Sequence, residues 1–217
     1  MSDKSYIWGA LLSDIGNEYG VAGLMGNLQA ESGLISYRVQ GDFSDGYTES
    51  ISYTAKVDNG TISEYDFVNN GPGGGGYGLA QWTYYTRKQA LYNMKKSGGY
   101  SSIGSVELAC AYLLYELKNS YPTVYNTLKT ATSIRVASDV VLHDFESPAD
   151  QSESVEILRA NLGIAIFNEL SGSPPVDPDN PPVDPDTPVD PDTPTVKTKT
   201  KKKKYNFVVF NQRRFQR

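Results

Sequence analysis

The stretch GNLQAESGL, residues 26–34, decides the fold. Just before and within it, Val21, Leu24, Met25 and Leu28 stand at i, i+3, i+4 and i+7. That spacing is one apolar face of a helix, and Gly33 is a natural stop for it. Glu31 lies three residues past Leu28, on the flank of the apolar stripe. An unpaired charge is expensive to bury there. The negative end of the helix dipole and partial desolvation both favour the neutral acid, so the stretch predicts a carboxyl with a raised pKa.

Outward from this helix, the chain divides by charge. Residues 195–217 carry six Lys and three Arg and no acid. Residues 174–194 carry six Asp and no base, and hold nine of the twelve prolines. The net charge of −5 therefore leaves −8 on residues 1–173. We read a domain over 1–171, a Pro-Asp spacer over 172–196 and a basic aromatic tail over 197–217. The spacer repeat PVDPDN, PVDPDT, PVDPDT excludes helix and ladder structure and predicts a stiff, solvated polyproline II-like segment. The tail, with Lys201–Lys204 ahead of Tyr205, Phe207, Phe210 and Phe215, is either a disordered end or an anchor for an anionic wall polymer or membrane surface. A nucleic-acid role ranks last, because residues 1–171 hold no nucleic-acid motif.

The domain reads as α+β and mostly α-helical. Candidate helices run over about 4–16, 20–32, 83–97, 105–118, 121–130, 133–146 and 151–170. VELACAYLLYEL, apolar almost all round, predicts the central buried helix. Pro122 suits the first turn of a helix. In residues 35–76, the Asp45-Gly46 and Asn59-Gly60 pairs are turn signals, compatible with a small hairpin or with short helical turns. The run Gly73–Gly76 predicts a mobile or sharply turning segment.

Several chemistries are excluded early. The single Cys, Cys110, lies in an apolar run and reads as an inert buried thiol. With one His, His143, neither a nucleophile–His site nor a zinc site finds its usual residues. No cofactor and no metal are expected. The first residues do not read as an ordinary secretory signal, and no stretch is long enough to span a bilayer.

A second motif is GGGGYGLAQWT, residues 73–83. Its glycines let a backbone approach a ligand closely. Gln81 offers hydrogen bonds and Trp82 a flat face, as an N-acetyl sugar requires. A Glu held neutral is likewise what general-acid cleavage of a glycosidic bond needs.

Together, ESG at a helix end and GYGLAQWT downstream resemble the lysozyme-like superfamily, and most closely the phage tail lysozyme family. The resemblance continues through YTAKVDNGTIS at 53–63, TRKQALY at 86–92 and SIRVASDVVLHDFESPADQSESV at 133–155. It covers residues 5–170 or so. It implies a lysozyme-like fold and a glycosidase acting on the glycan strand of bacterial peptidoglycan, a muramidase in first place. The alternatives are a lytic transglycosylase or a non-enzymatic wall-binding module. The family implies action at the virion tail or the extracellular wall, with other phage tail proteins as further partners. The general acid carries over to Glu31, and Ser32, Tyr77, Gln81 and Trp82 carry over as glycan-binding residues. Ser147 stands where the family pattern has Arg, which removes a cation beside Glu146. A second carboxylate is open among Asp42, Asp45, Glu49 and Glu146, the last read as structural. Glu31 is expected to be largely buried and to face Gln81 and Trp82 across a groove.

Overall fold

A computed structural model describes residues 3–70 and 75–173. Eight α-helices account for most of them: α1 Asp3–Ile15, α2 Glu18–Ser32, α3 Thr48–Asp58, α4 Tyr85–Ser97, α5 Val106–Ser120, α6 Pro122–Thr130, α7 Ile134–Val140 and α8 Glu153–Leu170. Asp66–Asn70 forms a π-helical segment, and a π-helical turn, Val141–Glu146, continues α7. The expected helices are therefore all present. The spacer reading from residue 174 on and the whole tail reading lie outside the described residues, as do Gly73 and Gly74.

The β component of the expected α+β fold is corrected. Among the described residues there is no strand, only isolated antiparallel bridges Val39–Tyr77 and Tyr77–Trp82. The Asp-Gly and Asn-Gly signals bracket a helix instead of a hairpin. Gly46 (φ 63°) precedes α3 and Gly60 (φ 80°) follows it. Ser50, Thr54 and Val57, the buried residues of α3, recur at helical spacing and outweigh the turn signals at its ends.

The central helix is α2, not α5. Residues Gly20–Leu28 are buried without a break, whereas α5 leaves Tyr115 exposed. Three glycines make this possible, each lying against a different neighbour. A Cβ on Gly20 would stand 2.0 Å from Leu128 O of α6. One on Gly23 would stand 2.5 Å from Ala137 Cβ of α7, and one on Gly26 2.3 Å from Arg159 O of α8. Backbones this close exclude any larger residue. Around this axis the stripe Val21, Leu24, Met25 and Leu28 is fully buried, as its spacing predicts.

Side-chain caps fix the starts of α2, α5 and α7. Asn17 Oδ1 accepts from Tyr19 N at 2.9 Å and Gly20 N at 3.2 Å, while its amide donates to Ala131 O at 2.9 Å. Ser105 and Ser133 cap α5 and α7 in the same manner. At its far end, the described chain returns to the start of α2. Ser173 Oγ donates to Glu18 Oε2 at 2.6 Å and Gly172 N to Glu18 Oε1 at 3.2 Å. Nearby, Lys4 of α1 pairs with Glu169 of α8 at 2.6 Å.

Candidate active site

Helix α2 delivers Glu31 one residue before its end, and Gly33 (φ 68°) closes the helix by donating its N–H to Gln29 O at 3.0 Å. Arg159 of α8 reaches it because α2 and α8 touch backbone to backbone at Gly26. Arg159 Nη2 donates to Glu31 Oε1 at 2.5 Å and Nη1 to Asn27 Oδ1 at 3.1 Å. Asn27 is anchored in turn by donating to Ser138 O and Gly23 O. The side chain of Glu31 is 23 % exposed and that of Arg159 9 %. Glu31 is thus half-buried, and paired with a cation that sequence spacing does not reveal.

The π-helical turn brings a second acid to the same place. Glu146 Oε1 is buried and has no hydrogen-bond partner. Its burial and the charge of Glu31 push the Glu146 carboxyl well above the usual carboxylate range, against the opposing pull of Arg87 and Arg159. Arg87 of α4 is itself locked to Glu116 of α5, Nε to Oε1 at 2.5 Å and Nη2 to Oε2 at 2.7 Å. Glu116 Oε2 also accepts from Trp82 Nε1 at 2.9 Å. Glu31, Arg159, Glu146, Arg87, Glu116 and Trp82 thus form one electrostatic chain.

This chain corrects the expected groove. Trp82 is fully buried, edge-on to Tyr112 at 5.0 Å between ring centres, so its faces cannot stack on a sugar. Tyr77 is also fully buried, with its hydroxyl 2.7 Å from Thr54 Oγ1. The two close a tight turn by exchanging backbone bonds, Tyr77 N to Trp82 O at 3.1 Å and Trp82 N to Tyr77 O at 2.9 Å. Within it, a Cβ on Gly78 (φ 77°) would stand 2.9 Å from Trp82 Cζ3, so the backbone lies close against the indole. Gln81 is half-buried and spends its amide hydrogens on Gly78 O at 2.9 Å and Arg38 O at 3.2 Å. Ser32 is buried, with its hydroxyl donating to Leu28 O at 3.0 Å. The motif GYGLAQWT therefore builds the turn, and the exposed rings that follow it are Tyr84 and Tyr85.

Of the other candidate carboxylates, Asp42 is a structural staple. It is buried, which works to raise its pKa. Hydrogen bonds from the hydroxyls and backbone N–H groups of Ser44 and Ser50 outweigh this and hold it well below the usual range. Asp45 and Glu49 are exposed at the entry to α3. A depressed pKa adds stability above the unfolded value, near 3.9, that is lost as pH falls through the folded value. Asp42→Asn sets an amide against the Ser50 N–H and should cost about 1–2 kcal/mol at neutral pH. Denaturant melts at pH 7 and pH 2 should show this gap narrowing in acid; an equal gap at both would contradict the staple.

Among the described residues, the non-glycine residues with left-handed φ are Leu34, Tyr47, Gln81 and Ser147, and all but Tyr47 lie at the two motifs or beside Glu146. Leu34 follows the ESG turn, Gln81 lies in the second motif and Ser147 follows Glu146. Such conformations cost of order 1–3 kcal/mol each and cluster at working sites. Ser147 also bonds its hydroxyl to His143 O at 2.5 Å. Cys110 is buried, which pushes its thiol up to about 12, as expected of an inert group.

Among the described residues, no three of His, Cys, Asp or Glu converge as metal ligands. No helix there is long and apolar enough to cross a membrane. A model of the phage tail lysozyme family matches residues 2–164. Searches of curated proteins and of solved structures find no match.

Proposed function

The chain belongs to the phage tail lysozyme family, and from that premise we propose that it cleaves the β-1,4 glycan strand of bacterial peptidoglycan with Glu31 as general acid. The observation that carries this reading is the setting of Glu31. It stands at a helix end, half-buried, in a cluster of shielded charges beside a second acid, one of whose oxygens is buried without a hydrogen-bond partner. General-acid cleavage needs one carboxyl that can hold a proton near neutral pH and give it to the leaving oxygen. Muramidase is the first form of the reaction, and the virion tail or the outer wall its place of action.

A lytic transglycosylase is the second form, and the carboxylates favour it. Asp42 is spent on Ser44 and Ser50, Asp45 and Glu49 are exposed on another element, and burial and the charge of Glu31 push the Glu146 carboxyl up. None of the four offers an ionised nucleophile beside Glu31. In the transglycosylase route the substrate's own 6-hydroxyl attacks and Glu31 recovers the proton. Mass spectrometry of muropeptides from digested Gram-positive walls decides between the forms. Reducing muramic acid ends mean muramidase, anhydro ends transglycosylase, and reducing glucosamine ends glucosaminidase. Wall binding with none of these ends would leave a non-enzymatic module and sink the proposal.

A further inference from the structure

Four ionisable side chains pair where α2, α4, α5 and α8 converge, Glu31 with Arg159 and Glu116 with Arg87, and Glu146 of the π-helical turn lies within electrostatic reach of all four. The paired four are largely shielded, with side-chain exposures of 23 % for Glu31, 17 % for Arg87, 5 % for Glu116 and 9 % for Arg159. Three carboxyls face two guanidinium groups. The cluster is neutral only when one carboxyl keeps a proton, and an uncompensated buried charge is costly.

The hydrogen bonds narrow where that proton resides. Both oxygens of Glu116 accept from Arg87, and Oε2 also accepts from Trp82, the bonding that suits a carboxylate. Glu31 accepts from Arg159, which suits a carboxylate. Glu146 Oε1 accepts nothing and is buried. His143, on the same turn, is engaged by Gln151 and Glu156.

Resting on the general-acid reading of Glu31, we infer that Glu146 is a positioning residue that shares one proton with Glu31 and so loads the general acid. At rest the proton lies on Glu146 and Glu31 is paired with Arg159. In the reactive arrangement the proton moves to Glu31, and Glu146 becomes the carboxylate that the two guanidinium groups balance. Glu31 then protonates the glycosidic oxygen as the C–O bond breaks. The attacking hydroxyl or water, on losing its proton, restores the pair to its single proton. Each turnover thus consumes and returns one proton.

The test is the pH profile of wall cleavage by the full chain, wild type against Glu146→Gln. Gln keeps the shape and removes both the shared proton and the charge that opposes ionisation of Glu31. The alkaline limb should move to lower pH by roughly 1–3 units, the span of close charge pairs. A limb that does not move overturns the inference, whatever the overall loss of activity. Should Glu146→Gln fail to fold, the unmutated protein labelled with ¹³C at the Glu carboxyls gives a second readout. One carboxyl should titrate far above the others, and its midpoint should fall in Glu31→Gln. All Glu carboxyls titrating in the ordinary range would overturn it. Full activity in Glu31→Gln would instead sink the general-acid reading, a separate outcome.

Discussion

Glu31→Gln should clear a Gram-positive wall suspension at least 10²-fold more slowly than the unmodified chain, and by as much as about 10⁴-fold, the range for loss of a general acid. The substitution keeps volume and leaves an amide oxygen to accept from Arg159, so the fold should hold. Wall binding, measured by pelleting with sacculi, should be little changed, because the loss is in bond breaking. Glu49→Gln is the matched control. It removes an exposed carboxylate of the other candidate segment and should leave the rate within about twofold, in keeping with the small effects of surface substitutions. A Glu31→Gln protein that clears walls at the normal rate would remove the general acid from the proposal altogether.

The largest expected loss of stability comes from a methyl group. Gly26→Ala sets a Cβ 2.3 Å from Arg159 O and 2.6 Å from Gly163 N, both backbone atoms that cannot rotate away. Helices α2 and α8 must separate to admit it, at a cost of about 3 kcal/mol. For a domain of this size that lowers the melting temperature by roughly 6–12 °C. The sign is diagnostic, because Ala is ordinarily the better helix former by about 1 kcal/mol. Gly9 of α1 is exposed, with no atom within 4 Å of its would-be Cβ. There the same change should stabilise by about 0.5–1 kcal/mol. Calorimetry on the two variants should give shifts of opposite sign; a stabilised Gly26→Ala would contradict the close crossing. The crossing also sets the reach of Arg159 to Glu31, so a folded Gly26→Ala should lose activity along with stability.

What the sequence discloses follows from how far each signal travels along the chain. The stripe Val21, Leu24, Met25 and Leu28 repeats within eight residues, and its burial is legible at once. Gly20, Gly23 and Gly26 are equally close together, but glycine carries no hydropathy signal, so the most crowded helix reads as an ordinary one. VELACAYLLYEL reads as the centre because apolar bulk is visible and tight backbone approach is not. Helix α3 is masked by the turn pairs at its ends, although Ser50, Thr54 and Val57 keep helical spacing.

The site is legible as a position and hidden as a set of partners. Glu31 announces itself by breaking an apolar stripe. The same rule applied to Arg159, among the buried Ala160, Gly163, Ile166 and Phe167 of α8, would have flagged it too. Glu116 breaks the apolar run of α5 in like fashion. That these charges meet is a long-range fact; Arg159 and Glu31 are 128 residues apart in the chain. Residue type alone also does not say whether an indole meets a ligand or a core. Trp82 goes to the core because its N–H finds Glu116 there.

The return of Ser173 to Glu18 bears on how the domain can be held. Glu18 opens α2 and Glu31 nearly closes it, so the two lie about 20 Å apart along the helix at 1.5 Å per residue. The last described residues therefore lie at the end of the rod opposite the acid, held by the Glu18 clasp and, beside it, by the Lys4–Glu169 pair. Both ends of the described chain are thus fastened together at the end of α2 that Glu31 does not occupy.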